Sequence, residues 1–197
     1  MSIKDFEDED FCLNGLLLEN IKNEVLFNQL LLNGADINAQ NTIGWCVLFE
    51  MISLGLNDKI SKYINNSINI HVRDKKGRNA LFWAIYFNNE EAVKILVSKG
   101  ITSYISKDKD LDALHYCIYK DNKTLLDILL SFNINKNQES EALIFAVLYK
   151  NLGLIDYLLE KGANTIYKDS RGNSARSLAN ELKIEEIINK IEGYNYV

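Results

Sequence analysis

The feature that most constrains this chain is a period of 33 residues. Gly44 and Gly77 stand 33 positions apart, as do Leu48 and Leu81, Leu81 and Leu114, and Ala146 and Ala179. The most regular copy runs Asp74-Lys75-Lys76-Gly77-Arg78-Asn79-Ala80-Leu81-Phe82-Trp83-Ala84. Asp74 and Gly77 bracket a turn, Asn79 is placed to cap a helix, and Leu81 and Ala84 fall at i and i+3 on one helix face. A second apolar run, Ala92-Val93-Lys94-Ile95-Leu96-Val97, then closes at Gly100. Each copy therefore reads turn, short helix, short helix, glycine.

The other copies vary this theme. From Phe11 the chain reads as helical, with Leu13, Leu16 and Leu17 in one stripe and Val25, Leu26, Leu30 and Leu31 in another. The next copy begins Asn41-Thr42-Ile43-Gly44-Trp45-Cys46, and a later one, Lys107 to Cys117, has Asp110 where glycine stood. Leu114 and Leu143 are only 29 apart, so four residues are missing between Asn133 and Leu143, where one turn is expected to be lost. Asp169 to Ala179 restores the spacing. A repeat of this length cannot bury its apolar face alone, and stacking neighbours supplies the core.

In these segments the sequence resembles the ankyrin repeat family. Asn79-Ala80-Leu81-Phe82-Trp83-Ala84 and Asp112-Ala113-Leu114-His115-Tyr116-Cys117 match its Thr-Pro-Leu-His-x-Ala signature. Leu31-Leu32-Asn33-Gly34-Ala35-Asp36-Ile37-Asn38 and Leu158-Leu159-Glu160-Lys161-Gly162-Ala163-Asn164 match its second-helix ending. The resemblance implies an all-α solenoid of helix-turn-helix repeats joined by β-hairpin-like loops. Residues 1–10 form an acidic tail, and the repeats fall near 11–40, 41–73, 74–106, 107–135, 136–168 and 169–197. The first and last are capping repeats, with Gly15 and Arg176 at the core leucine position. Proline is absent throughout, and alanine, a good helix former, stands in its place at positions 80, 113, 142 and 175. Asn79, Asp112 and Ser174 keep a capping role, whereas Cys46 and Glu141 are poorer caps.

Charge and motifs narrow the function. The chain carries a net −5, and residues 1–10 hold −4 of it, from five carboxylates against Lys4. A near-neutral body without a basic domain argues against nucleic acid. The N-terminus lacks a secretory signal pattern, and no apolar run is long enough to cross a bilayer. Cys12, Cys46 and Cys117 fit no metal-ligand spacing and read as small buried hydrophobes in a reducing cytoplasm. No residue set suggests a catalyst or a cofactor: His115 occupies the family's structural histidine position, with a hydrogen-bonded role at the helix start, and nothing completes a site around His71.

By the resemblance, a concave surface of fingertips and inner helices grips a protein partner. The fingertip positions are Thr42, Ile43 and Trp45, then Lys75, Lys76 and Arg78, then Lys109 and Leu111. The inner-helix positions are Tyr86 and Phe87, Tyr119 and Lys120, and Tyr149. Trp83 and Tyr116 are expected to pack between repeats. Trp45, in a position normally polar, has no folding role visible from sequence. Aromatics beside Arg and Lys are the composition of interface hot spots. The expectation is a non-catalytic, cytoplasmic interaction module, monomeric when unbound, of the inhibitor, immunity or antitoxin type. A competing expectation is an accessory protein that handles haem, with tyrosines or His71 as iron ligands.

Overall fold

The computed structural model describes residues 9–65, 67–106, 111–132 and 137–194. The chain divides into two compact units, Met1–Ala113 and Leu114–Val197. The N-terminal unit contains α1 (Glu9–Glu19), α2 (Glu24–Leu32), α3 (Val47–Ser53), α4 (Asn57–Tyr63), α5 (Ala80–Tyr86), α6 (Glu90–Ser98) and a ribbon of β1 (Tyr104–Ser106) with β2 (Leu111–Asp112). The C-terminal unit contains α7 (Ala113–Tyr119), α8 (Lys123–Ser131), α9 (Gln138–Leu148), α10 (Leu152–Glu160), α11 (Ala175–Leu182) and α12 (Glu185–Gly193). Of the expected acidic tail, residues 1–8 lie outside the described residues, and α1 begins at Glu9.

Two backbone devices recur at the repeat spacing. After α3, α5, α7, α9 and α11 one residue takes a left-handed conformation: Gly55, Asn88, Asp121, Lys150 and Lys183, with φ between 52° and 68°. Only one of these is glycine, so the other four carry a steric cost at the same corner of their repeats. Three of the outer helices that follow, α6, α8 and α10, are capped by asparagine: Asn89 Oδ1 accepts from Ala92 N, Asn122 from Leu125 N and Asn151 from Leu154 N, each at 3.0–3.1 Å. Asn23 does the same for Leu26 N. Such caps satisfy helix N–H groups that otherwise lack acceptors.

In the N-terminal unit the core comprises Leu17, Phe27, Phe49, Met51, Ile60 and Leu81, all fully buried. Here one face differs from the sequence reading. Val25 is 69% exposed and Phe27 is buried beside Leu30 in α2, because Phe27 packs against Tyr63 with a ring separation of 5.6 Å. Lys59 Nζ covers the same ring at 4.2 Å while pairing with Glu24 at 3.0 Å. A helix rich in leucine on several sides takes its orientation from these neighbours.

In the C-terminal unit Leu114, Leu126, Leu143, Ile155, Leu158 and Ile191 form the core. Arg176, at the core-leucine position of the last repeat, is exposed, as suits a terminal repeat. The sequence expects a helix starting near Glu141, but α9 starts at Gln138 and runs 11 residues, against seven in α3, α5 and α7. Glu141 is therefore no cap; it lies in the first turn of α9, where a carboxylate complements the helix dipole. Gln138 is buried and donates to the Leu130 carbonyl. Extra helix stands where the four-residue deletion falls.

Candidate partner-binding surfaces

Three turns share one construction. Asn41 Oδ1 accepts from Ile43 N and Trp45 N, Asp74 Oδ1 from Lys76 N and Arg78 N, and Asp169 Oδ1 from Arg171 N and Asn173 N, at 2.8–3.1 Å. A side chain that accepts from the second and fourth residues after it locks a tight fingertip. The first two fingertips lie together: Lys75 N donates to Ile43 O at 3.3 Å, and Gln40 Nε2 donates to both Gly44 O and Arg73 O. A Cβ on Gly44 would stand 2.7 Å from Asp74 Cα and Lys75 N, so glycine is required there. Thr42, Ile43, Lys75 and Lys76 are exposed on these tips.

Behind the tips the N-terminal unit carries an aromatic cluster. Trp45 meets Trp83 edge-on at 4.8 Å and Phe49 at 5.7 Å, and its Nε1 donates to Glu50 Oε2 at 2.7 Å. Trp83 lies within 5.8 Å of Phe82, Tyr86 and Phe87. The Arg78 guanidinium sits 4.2 Å above the Trp83 ring, and its Nε donates to the buried Asp74 carboxylate at 2.6 Å. Trp45 therefore has a packing role that the sequence did not reveal: its ring joins two successive repeats. Trp83 is buried, as expected, while Tyr86 (50%) and Phe87 (39%) remain exposed.

The C-terminal unit carries a second cluster with different chemistry. His115 stacks on Phe145 at 4.0 Å, and His115 Nε2 and Tyr149 Oη are 2.7 Å apart. Tyr149 lies 5.7 Å from Tyr119, which stacks on Tyr116 at 6.4 Å. Tyr116 is buried, and Tyr119 (61%) and Tyr149 (41%) are exposed, with Lys120 beside them in sequence. The sequence expectation of a helix-start bond for His115 is corrected: its partner is a tyrosine one repeat away. Burial, and then the charge of Arg171, lowers the His115 pKa and favours neutral imidazole. Burial and neighbouring Tyr119 raise that of Tyr149.

The structure thus brings Trp45, Arg78, Tyr86 and Phe87 into one cluster, and Tyr119 and Tyr149 into another. Leu111 lies in β2, and Lys109 is outside the described residues. Sequence reasoning did not name Phe145 and set His115 aside as structural. A signal existed for Phe145, which occupies the repeat position of Trp83 and Tyr116. Among the described residues no group of three or more His, Cys, Asp or Glu could hold a metal, and no helix is long and apolar enough to cross a membrane. Cys46 and Cys117 are buried, and burial pushes the Cys46 thiol up to about 11, which leaves it unreactive near neutrality. His71 is exposed, and its backbone N–H donates to Asn69 Oδ1.

Repeated helix pairs, Asx-locked fingertips and exposed inner-helix aromatics define a repeat protein of the interaction type. The family of ankyrin repeats (3 copies) matches residues 17–107 and 101–169, and the chain belongs to that family. Ankyrin repeats are protein–protein interaction modules, and the fold is the family's all-α fold. No curated protein matches the chain. Among solved structures it resembles one chain in the structure of the Bd0816 predatory endopeptidase from Bdellovibrio bacteriovorus in complex with immunity protein Bd3460. That match has a TM-score of 0.65 and 21% identity, covering 91% of this chain and 98% of the other. The human ASB11 ankyrin repeat domain matches at TM-score 0.65 and 18% identity, covering 94% and 84%. The ankyrin repeat domain of Bcl-3, a member of the IkappaB family, matches at 0.72 and 17%, covering 93% and 81%.

Proposed function

We propose that this protein acts by binding: a non-catalytic, cytoplasmic module, monomeric when unbound, that inhibits or neutralises one partner protein. The proposed contacts are the fingertip residues Thr42, Ile43, Trp45, Lys75, Lys76, Arg78, Lys109 and Leu111, and the inner-helix residues Tyr86, Phe87, Tyr119, Lys120 and Tyr149. One observation carries the reading. Large aromatics stand exposed at the same two positions of successive repeats, at Tyr86 and Phe87, then Tyr119, then Tyr149, although each repeat has a well-buried core to receive them. Rigid aromatics left in water are the anchors that interfaces use. The likeness to a chain from a complex between an endopeptidase and an immunity protein supports the inhibitory form of this reading.

Affinity capture from the source cell, read by mass spectrometry, identifies the partner. Tyr86→Ala and Tyr119→Ala are expected to weaken it by about 2 kcal/mol each, the level of a hot spot, with unchanged thermal stability. Affinity equal to that of the natural chain rejects these faces.

A further inference from the structure

The aromatic cluster of the N-terminal unit is built around a cation whose hydrogen bonds are mostly unused. The Arg78 side chain donates through Nε to Asp74 Oδ2, and its plane is pinned over Trp83 and Phe82, with Cζ at 4.2 and 5.2 Å from the two ring centres. A guanidinium has five N–H donors, and among the described residues the two terminal NH2 groups of Arg78 reach no acceptor. The side chain is 25% exposed, so these donors are open to a ligand. Trp83 Nε1, in the ring beneath the guanidinium, is also buried without an acceptor. Asp74 and Glu50 each take one donor of the cluster, and the remaining donors exceed the acceptors that the described residues supply.

The surroundings say which kind. Arg73, Lys75, Lys76 and Arg78 against Asp74 leave this fingertip at +3 within a chain of net −5. Lys75 and Lys76 are exposed and form no ion pair among the described residues. The rings that Arg78 covers, Phe82 and Trp83, lie against the exposed rings of Tyr86 and Phe87, so the basic fingertip adjoins an apolar shelf. A phosphate backbone has no apolar side chain to cover that shelf, whereas a protein segment can fill both the fork and the shelf. We infer that Arg78 is a specificity-determining anchor that takes a partner carboxylate in bidentate geometry, with an aromatic or aliphatic side chain of the same partner segment resting on Tyr86 and Phe87. The partner is thus a protein that presents Asp or Glu beside a large apolar residue. Stacking holds the guanidinium in place before binding, so little side-chain entropy remains to be lost.

This inference rests on the proposal that the aromatic faces bind protein, and its test is separate. The full-length chain is used to select from a displayed library of random peptides of about 12 residues. The enriched peptides are titrated against the chain by tryptophan fluorescence. Both tryptophans, Trp45 and Trp83, lie in this cluster, so the signal is local. Enriched peptides are expected to carry Asp or Glu next to Phe, Tyr, Trp or Leu, and Asp→Asn or Glu→Gln in the peptide to weaken binding about tenfold. Arg78→Lys keeps the charge beside buried Asp74 but not the fork, and is expected to lose a similar factor at unchanged melting temperature. Glu160→Ala, at an exposed position of α10 outside the proposed contacts, is expected to have no effect on these peptides. Enrichment of peptides without carboxylates, equal affinity of Arg78→Lys, competition by an oligothymidylate, or no enrichment overturns the inference. Loss of the captured partner by Tyr86→Ala in the face of any of those outcomes leaves the broader proposal standing.

Discussion

The two aromatic clusters occupy the same repeat positions and are held together by different forces. In the N-terminal unit, indole, phenyl and phenol rings pack edge to face around a guanidinium. In the C-terminal unit, the rings are organised by an imidazole that stacks on Phe145 and shares a hydrogen bond with Tyr149. The repeat specifies where a side chain stands, and the residue type then decides whether the surface responds to salt or to pH.

Removing the centre of each cluster is the strongest way to separate them. Trp83→Ala takes out a ring in contact with Trp45, Phe82, Tyr86 and Phe87, and a loss of about 3–5 kcal/mol is expected, measured by denaturant unfolding. Tyr119→Ala removes an exposed ring and is expected to stay within about 0.5 kcal/mol. Equal losses would erase the distinction between packing and surface aromatics. The seat of the first cluster is tested by Gly44→Ala, which puts a Cβ at φ +79° and 2.7 Å from the next fingertip. About 2 kcal/mol or more is expected, with amide exchange of Ile43 and Lys75 accelerated.

Smaller effects probe the second cluster. Tyr149→Phe deletes the hydroxyl that meets His115 and is expected to cost about 1 kcal/mol, with the His115 pKa, read by NMR titration, moving as its partner is lost. In the same unit Lys150→Gly relieves a left-handed lysine and is expected to stabilise by up to about 1 kcal/mol. The smallest effect is that of pH. The folded state lowers the His115 pKa, so the unfolded chain takes up its proton first. The contribution is fully present above about pH 6.5 and declines as pH falls below it. In the N-terminal unit, Lys62 and Lys59 hold Glu24 down to about 2. Its contribution, screened by solvent at this exposed site, is present above about pH 4.5 and is lost as pH falls toward 2. Amide exchange followed across pH is expected to loosen the C-terminal unit first, and the opposite order would invert the comparison.

Much of this arrangement was legible in the amino acids. The 33-residue spacing predicts the helix pairs, Asn79 and Ser174 cap as expected at 3.0 Å, and Trp83 and Tyr116 are buried while Tyr86 and Tyr119 are not. Three readings needed correction or addition. Trp45 looked like a residue without a folding role because its partner, Trp83, is 38 positions away. His115 was assigned a bond at its own helix start, yet its acceptor or donor lies 34 positions on. Glu141 was read as a cap because the signature alignment was carried across a deletion, and Gln138 became the start of the helix when its amide found Leu130 O.

The division has a physical basis. Turn residues, caps and the i, i+3 stripe act within a few positions of one another, so the sequence by itself determined the repeat, the helix pairs and which positions face outward. Ring orientations, the stacking of Arg78 on Trp83 and the His115–Tyr149 bond join residues of different repeats or different elements. These depend on how close-packed surfaces meet, where shifts well under a side-chain length change the partner. Only the tertiary structure decided them, and with them the chemistry that each aromatic face offers to a protein.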